Sequence, residues 1–188
     1  MKKRILTILI CGVMVLGLTG CGKSDVEDAK EDLQKTQEKY GWVEEENVET
    51  LVAKFNTQVM DNNNGSLNPA MNDYLTEDNS QYWYGLIEGI SLVVIPKNYT
   101  GNKTNDIVDS MYIYVNKTTK YENDVITYAK HLTKANNENI TDSEIDSLLK
   151  EAKEKSASKT TANNGKGISI GYLENNEMYQ YQVIRLYK

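Results

Sequence analysis

The sequence predicts an α+β domain, with one antiparallel sheet of about five strands and about three helices packed on one face. Three observations predict it. Apolar residues recur at helical spacing between Glu46 and Met60, and again in two segments between Val125 and Ala152. Segments rich in aromatic and β-branched residues lie between Gln81 and Val115. The chain then closes on two alternating segments, Gly167–Glu174 and Glu177–Leu186, separated by Asn175-Asn176. The order is one helix, three strands, two helices and two strands. It holds no βαβ repeat, so an antiparallel sheet backed by helices is the simplest arrangement.

In the first helix Val48, Leu51, Val52, Phe55 and Val59 fall at i, i+3, i+4, i+7 and i+11, which makes one apolar stripe. Glu44, Glu45 and Glu46 precede it, where the helix dipole favours negative charge. Asp61-Asn62-Asn63-Asn64-Gly65 is expected to end it. Gln81 to Ile87 and Ile90 to Ile95 read as strands with Gly89 between them, and Pro96 stops the second. Ile107 to Val115 reads as the third strand, in which Met111, Ile113 and Val115 alternate with Tyr112 and Tyr114.

Asn123 or Asp124 is the expected cap of the second helix, whose apolar residues are Val125, Ile126, Ala129 and Leu132. The third helix is written more fully. Thr141 and Glu144 form a capping box, and Ile140 with Ile145 forms a hydrophobic staple. Ser156 to Lys166 reads as a loop. A two-residue turn at Asn175-Asn176 would place Tyr172 opposite Tyr179, Ile170 opposite Tyr181 and Ile168 opposite Val183. These six make the core face of the hairpin. Ser169, Gly171, Leu173, Met178, Gln180 and Gln182 make a mostly wet one.

The N-terminus carries an address. Met1-Lys2-Lys3-Arg4 is positive, and the apolar run from Ile5 to Leu18 is about 14 residues, short of the roughly 20 needed to span a bilayer as a helix. Charge followed by a short apolar run is the layout of a secretory signal peptide. The run ends in Leu18-Thr19-Gly20-Cys21. This resembles the lipobox of bacterial lipoproteins. The resemblance implies that residues 1–20 are a cleaved signal peptide and that Cys21 receives a diacylglycerol and becomes the first mature residue. Two acyl chains (palmitate or a similar fatty acid) make attachment stable where one gives marginal binding. Residues 21–41 then read as the lipidated Cys and a polar tether, reaching about 25 Å as a helix or about 60 Å extended. Residues 42–188 read as a single extracytoplasmic α+β domain on the outer side of the cell membrane. The 13 Tyr and 2 Pro in 188 residues point to a low-GC Gram-positive composition.

Composition excludes several functions. Loss of residues 1–20 removes Lys2, Lys3 and Arg4 and no acid, taking the net charge from −6 to −9. A surface this acidic excludes nucleic acid as a partner. Cys11 leaves with the signal peptide and Cys21 takes the lipid, so no thiol remains for a disulfide, a metal or a nucleophile. His131, the one histidine, reads as a surface helix residue, with no nucleophile-elbow sequence to serve. No cofactor and no metal site is expected. Asp61 to Asn72 fails the calcium-loop pattern, since Gly65 stands fifth and Asn72 twelfth. Asn164-Gly165-Lys166-Gly167 lacks phosphate-loop spacing. The Asn98, Asn116 and Asn139 sequons are expected to stay bare in a bacterial lipoprotein.

What remains as a recognition surface is aromatic: Tyr82, Trp83, Tyr84, Tyr112 and Tyr114. Rings on a rigid sheet stack on sugars or anchor a protein. The competing reading is that Tyr replaces Phe in the core of a chain with a single Phe. The function expected is a non-enzymatic, membrane-anchored binding domain with a protein or cell-envelope partner. The alternatives are a carboxylate-based envelope hydrolase and an inhibitor or immunity-type lipoprotein.

Overall fold

The computed structural model describes residues 41–61, 67–70, 72–75, 80–154, 161–162 and 167–187. The lipobox with Cys21, the tether, Asn62 to Gly65 and residues 163–166 lie outside these.

The five expected strands form, and they pair antiparallel: β2 Tyr82–Ile87, β3 Ile90–Pro96, β4 Val108–Asn116, β6 Ile168–Glu174 and β7 Met178–Arg185. Two short strands extend the sheet at its edges, β1 Asn72–Leu75 and β5 Thr161–Ala162, so the order is β1-β2-β3-β4-β7-β6-β5. Edge strands this short are held by backbone pairing and leave no periodic side-chain pattern to read.

Three helices, α1 Val48–Asp61, α2 Glu122–Asn136 and α3 Asp142–Glu154, pack over one face of the sheet. Val48, Leu51, Phe55 and Val59 of α1 are fully buried. Burial of each such side chain stabilises the fold by about 1.5–3 kcal/mol as an upper estimate. Asn47 caps α1, its Oδ1 accepting the Thr50 N–H at 2.8 Å. The α3 capping box forms as written: Thr141 N–H donates to Glu144 Oε2 at 2.8 Å, and Glu144 N–H donates to Thr141 Oγ1 at 3.3 Å. The staple residues Ile140 and Ile145 are buried.

Two expectations are corrected. Neither Asn123 nor Asp124 caps α2. The helix begins at Glu122 after Tyr121, whose N–H is held by Thr119 Oγ1 at 3.2 Å, and no side chain caps it. In the hairpin, Tyr172 pairs with Tyr181, Ile170 with Val183 and Ile168 with Arg185. The Asn175 N–H donates to the Met178 C=O at 2.9 Å, and its side chain accepts the N–H groups of Glu177 and Met178. The hairpin therefore closes at Asn175 and Met178 and the turn is Asn176-Glu177, one residue further along than expected, which shifts the pairing by two. A slip of two keeps every side chain on its expected face. All six expected core residues are buried.

The first described residues are tied to the last strand. Val43 N–H donates to Leu186 C=O and Leu186 N–H to Gly167 C=O, both at 2.8 Å. Gly167 has φ 74, and a β-carbon there would collide with the backbone of Trp42.

Candidate functional site

Strand alternation sorts the five aromatic candidates onto opposite faces. Tyr82 and Tyr84 point under the helices and are 2% and 6% exposed, so neither belongs to a surface. The Tyr82 hydroxyl donates to Asp106 Oδ2 at 2.6 Å. Asp106 is itself buried and also accepts the N–H and Oγ1–H of Thr100. Burial works to raise the Asp106 carboxyl, but the Thr100 and Tyr82 hydrogen bonds outweigh it and hold the group below the ordinary Asp value. Tyr82 is pushed well above the ordinary phenol range, first by burial and then by Asp106. This is a structural network, fastening the loop after β3 to β2.

Trp83, Tyr112 and Tyr114 stand on the second face, which no described helix covers. Register lines this face into rows. One runs Trp83, Val93, Tyr112, Gln182, Gly171, and the next runs Gly85, Ser91, Tyr114, Gln180, Leu173. A third joins Ile95, Ser110, Ile184 and Ser169. None of these residues is charged, in a chain that is 26% Asp, Glu, Lys and Arg. The Trp83 and Tyr114 rings meet edge-on, with centroids 5.2 Å apart and planes at 61°. Val93 is fully buried where it pairs directly with Trp83 and Tyr112. The Tyr112 hydroxyl donates to Gln81 Oε1 at 3.1 Å, and Tyr112 is 8% exposed. Gln182 Nε2 donates to Ser110 Oγ at 3.2 Å. Trp83 and Tyr114 are half-buried, and Leu173 is exposed at the β6 end of its row. The sequence pairs Trp83 with Tyr112 and Tyr114 only once the β2–β4 register is known.

Chemistry elsewhere is sparse. His131, expected at the surface, is buried at 7% exposure, and its Nε2 has no hydrogen-bond partner. Burial lowers its pKa, and the Asp142 carboxylate works weakly the other way. Asp109 is raised by burial, with Lys97 opposing. Arg185, paired across the hairpin from Ile168, has a side chain 0% exposed. It donates to Glu46 Oε2 at 2.9 Å, Asn136 Oδ1 at 3.0 Å and the Glu44 carbonyl at 2.7 Å. Sequence reasoning missed this residue, because no local pattern distinguishes a buried arginine at a strand end. Among the described residues, no group of three or more His, Cys, Asp or Glu side chains is placed to hold a metal ion. No described helix is long and apolar enough to cross a membrane.

No family model matches the chain, and no curated protein or solved structure matches it.

Proposed function

We propose that this chain is a lipid-anchored extracytoplasmic lipoprotein, held by Cys21 at the outer side of the cell membrane, whose domain binds a protein or envelope component. The observation that carries the binding part is the second face of the sheet. It is uncharged and bears the Trp83–Tyr114 ring pair, and no described helix packs on it. Interface cores elsewhere are depleted in charge and enriched in aromatic residues, so this composition suits a contact surface. The anchor part is supported by Leu18-Thr19-Gly20-Cys21 and by the short apolar run before it. Glu174, a carboxylate at the end of the sheet, is held below its ordinary value by Lys117 first and Tyr172 second. A general acid needs the opposite shift, which weighs against the hydrolase alternative at this position.

The test has two arms. Radiolabelled palmitate is expected to enter the wild-type protein and not Cys21→Ser, which leaves the membrane fraction. A photo-crosslinking residue at Leu173 is expected to capture one recurrent envelope partner, while the same residue at Met60 on α1 does not. Label in Cys21→Ser equal to wild type would overturn the anchor. Equal capture from both positions would overturn the binding face.

A further inference from the structure

One end of the sheet holds a cleft of about 280 Å³ that plays no part in the second face. Four separate segments meet there. Lys117 comes from the turn after β4 and Glu122 from the start of α2. Lys153 comes from the last turn of α3, and Tyr172, Glu174 and Tyr179 come from the β6–β7 hairpin. The Tyr172 and Tyr179 rings are 5% and 8% exposed, with centroids 5.9 Å apart, and form an aromatic floor.

The charges around this floor are unequally matched. Lys117 and Glu174 pair at 2.5 Å, and the Tyr172 hydroxyl donates to Glu174 at 2.9 Å. Glu122 meets the Tyr179 hydroxyl and has no cation partner among the described residues. Lys153 has no anion partner within ion-pair distance among the described residues, and its ammonium stands 6.0 Å from the Tyr172 ring. Each of the two sits at the helix end whose dipole stabilises it, Glu122 at an N-terminus and Lys153 at a C-terminus. Thus the helix ends hold a carboxylate and an ammonium on one cleft with neither closed in an ion pair, Lys153 being attracted only at longer range by Glu174, which Lys117 already pairs.

We propose that this cleft binds a small zwitterion, a free α-amino acid. Its ammonium would meet Glu122 over the tyrosine floor, and its carboxylate would meet Lys153. A purely anionic ligand would leave Glu122 opposed by like charge, and a purely cationic one would leave Lys153 so. The volume lies just below the usual range of drug-sized pockets, so the ligand is a single residue and not a peptide. Exposed ion pairs and cation–π contacts are individually weak, which sets the expected Kd at about 1 mM.

The full chain in detergent solution is titrated with glycine, L-alanine and D-alanine up to roughly 10 mM, well past that Kd. NMR is followed at the Tyr172 and Tyr179 rings. Saturable shifts are expected from at least one of the three. Alaninamide, which lacks the carboxylate, and N-acetylalanine, which lacks the ammonium, are expected to bind at least about tenfold more weakly, the factor that corresponds to one lost ionic contact. Glu122→Gln and Lys153→Met are each expected to weaken binding to a similar degree. Both side chains lie at the surface, so the unliganded spectra report whether the fold is kept. No saturable shift from any of the three, or equal binding of the singly charged analogues, would overturn the proposal. Because the cleft and the second face share no residue, failure here leaves the proposed binding face standing.

Discussion

Under the helices, the sheet carries ionised groups that are buried and fully engaged: Arg185 with Glu46 and Asn136, Asp106 with Tyr82 and Thr100. On the other side of the same strands the three rows hold Ser, Gln, Gly, aromatic and aliphatic residues and no charge at all. A solvent-facing sheet surface ordinarily alternates polar and often charged residues against a hydrophobic inside. Here the expectation is reversed. Charge is tolerated where a closed network satisfies it, and it is missing from the face that no described helix covers. The covered face is thus explained by stability. The second face is not, and its composition is what supports the proposed contact surface.

The comparison breaks most visibly in alkali. Tyr82, Tyr172, Tyr179 and Tyr181 of the sheet and Tyr128 of α2 lie buried in the core between sheet and helices, and burial raises each phenol, that of Tyr179 up to about 12. A raised folded pKa means that the stabilisation is fully present below the ordinary value of about 10 and is lost as pH rises towards the folded value. Five such groups would remove up to about 7 kcal/mol per pH unit. Phenolate absorbance of these rings is therefore expected to appear together with loss of far-UV circular dichroism, in one step. Ionisation of these five with the circular dichroism intact would remove the distinction between the faces.

Next in size is Arg185→Ala. It leaves the Glu46 carboxylate, the Asn136 amide and the Glu44 carbonyl without their guanidinium, and should cost about 3–5 kcal/mol, read as a lower urea midpoint. A loss below about 1 kcal/mol would show that this network is not what holds the covered face.

His131 gives a smaller, pH-dependent effect. Its pKa is lowered in the folded state, so the unfolded chain takes up a proton near pH 6.5 that the folded chain refuses. Stability should fall as pH drops below about 6.5, by at most about 1.4 kcal/mol per unit, until the folded value is reached. His131→Gln is expected to flatten that slope between pH 5 and 6.5. An unchanged slope would assign it to other groups.

The smallest effect on stability, and the sharpest on the second face, is expected from Leu173→Lys. Leu173 is 44% exposed, so the change should stay within about 0.5 kcal/mol. It sets a charge beside the Tyr114 row, and partner capture should fall at least tenfold. Destabilisation without loss of capture would place Leu173 in the structure and outside the contact.

The α1 stripe, the capping box of α3 and the two faces of the hairpin were all legible in the sequence, because each rests on a local period or a residue type with a single use. Even the misplaced hairpin register kept its faces, since moving a two-residue turn by one position shifts the pairing by two and not by one. What stayed hidden depends on partners far apart in the chain. Alternation separates Trp83 from Tyr82 and Tyr84, but only the packing of α1 and α2 decides which set is covered. The buried position of His131 follows from helix packing, and the cleft exists only where α2 begins and α3 ends beside the hairpin. Strands β1 and β5 are too short to impose a pattern.

The junction of Trp42 and Gly167 has a mechanical consequence. The chain enters the domain at the same corner where β7 leaves it, and the entering segment is fastened by the Val43–Leu186 hydrogen bond and by the Arg185 guanidinium on Glu44 and Glu46. A pull applied through residue 41 would load this corner first. The load would fall on the Val43–Leu186 hydrogen bond and the end of β7 before it reached the strands farther from the corner.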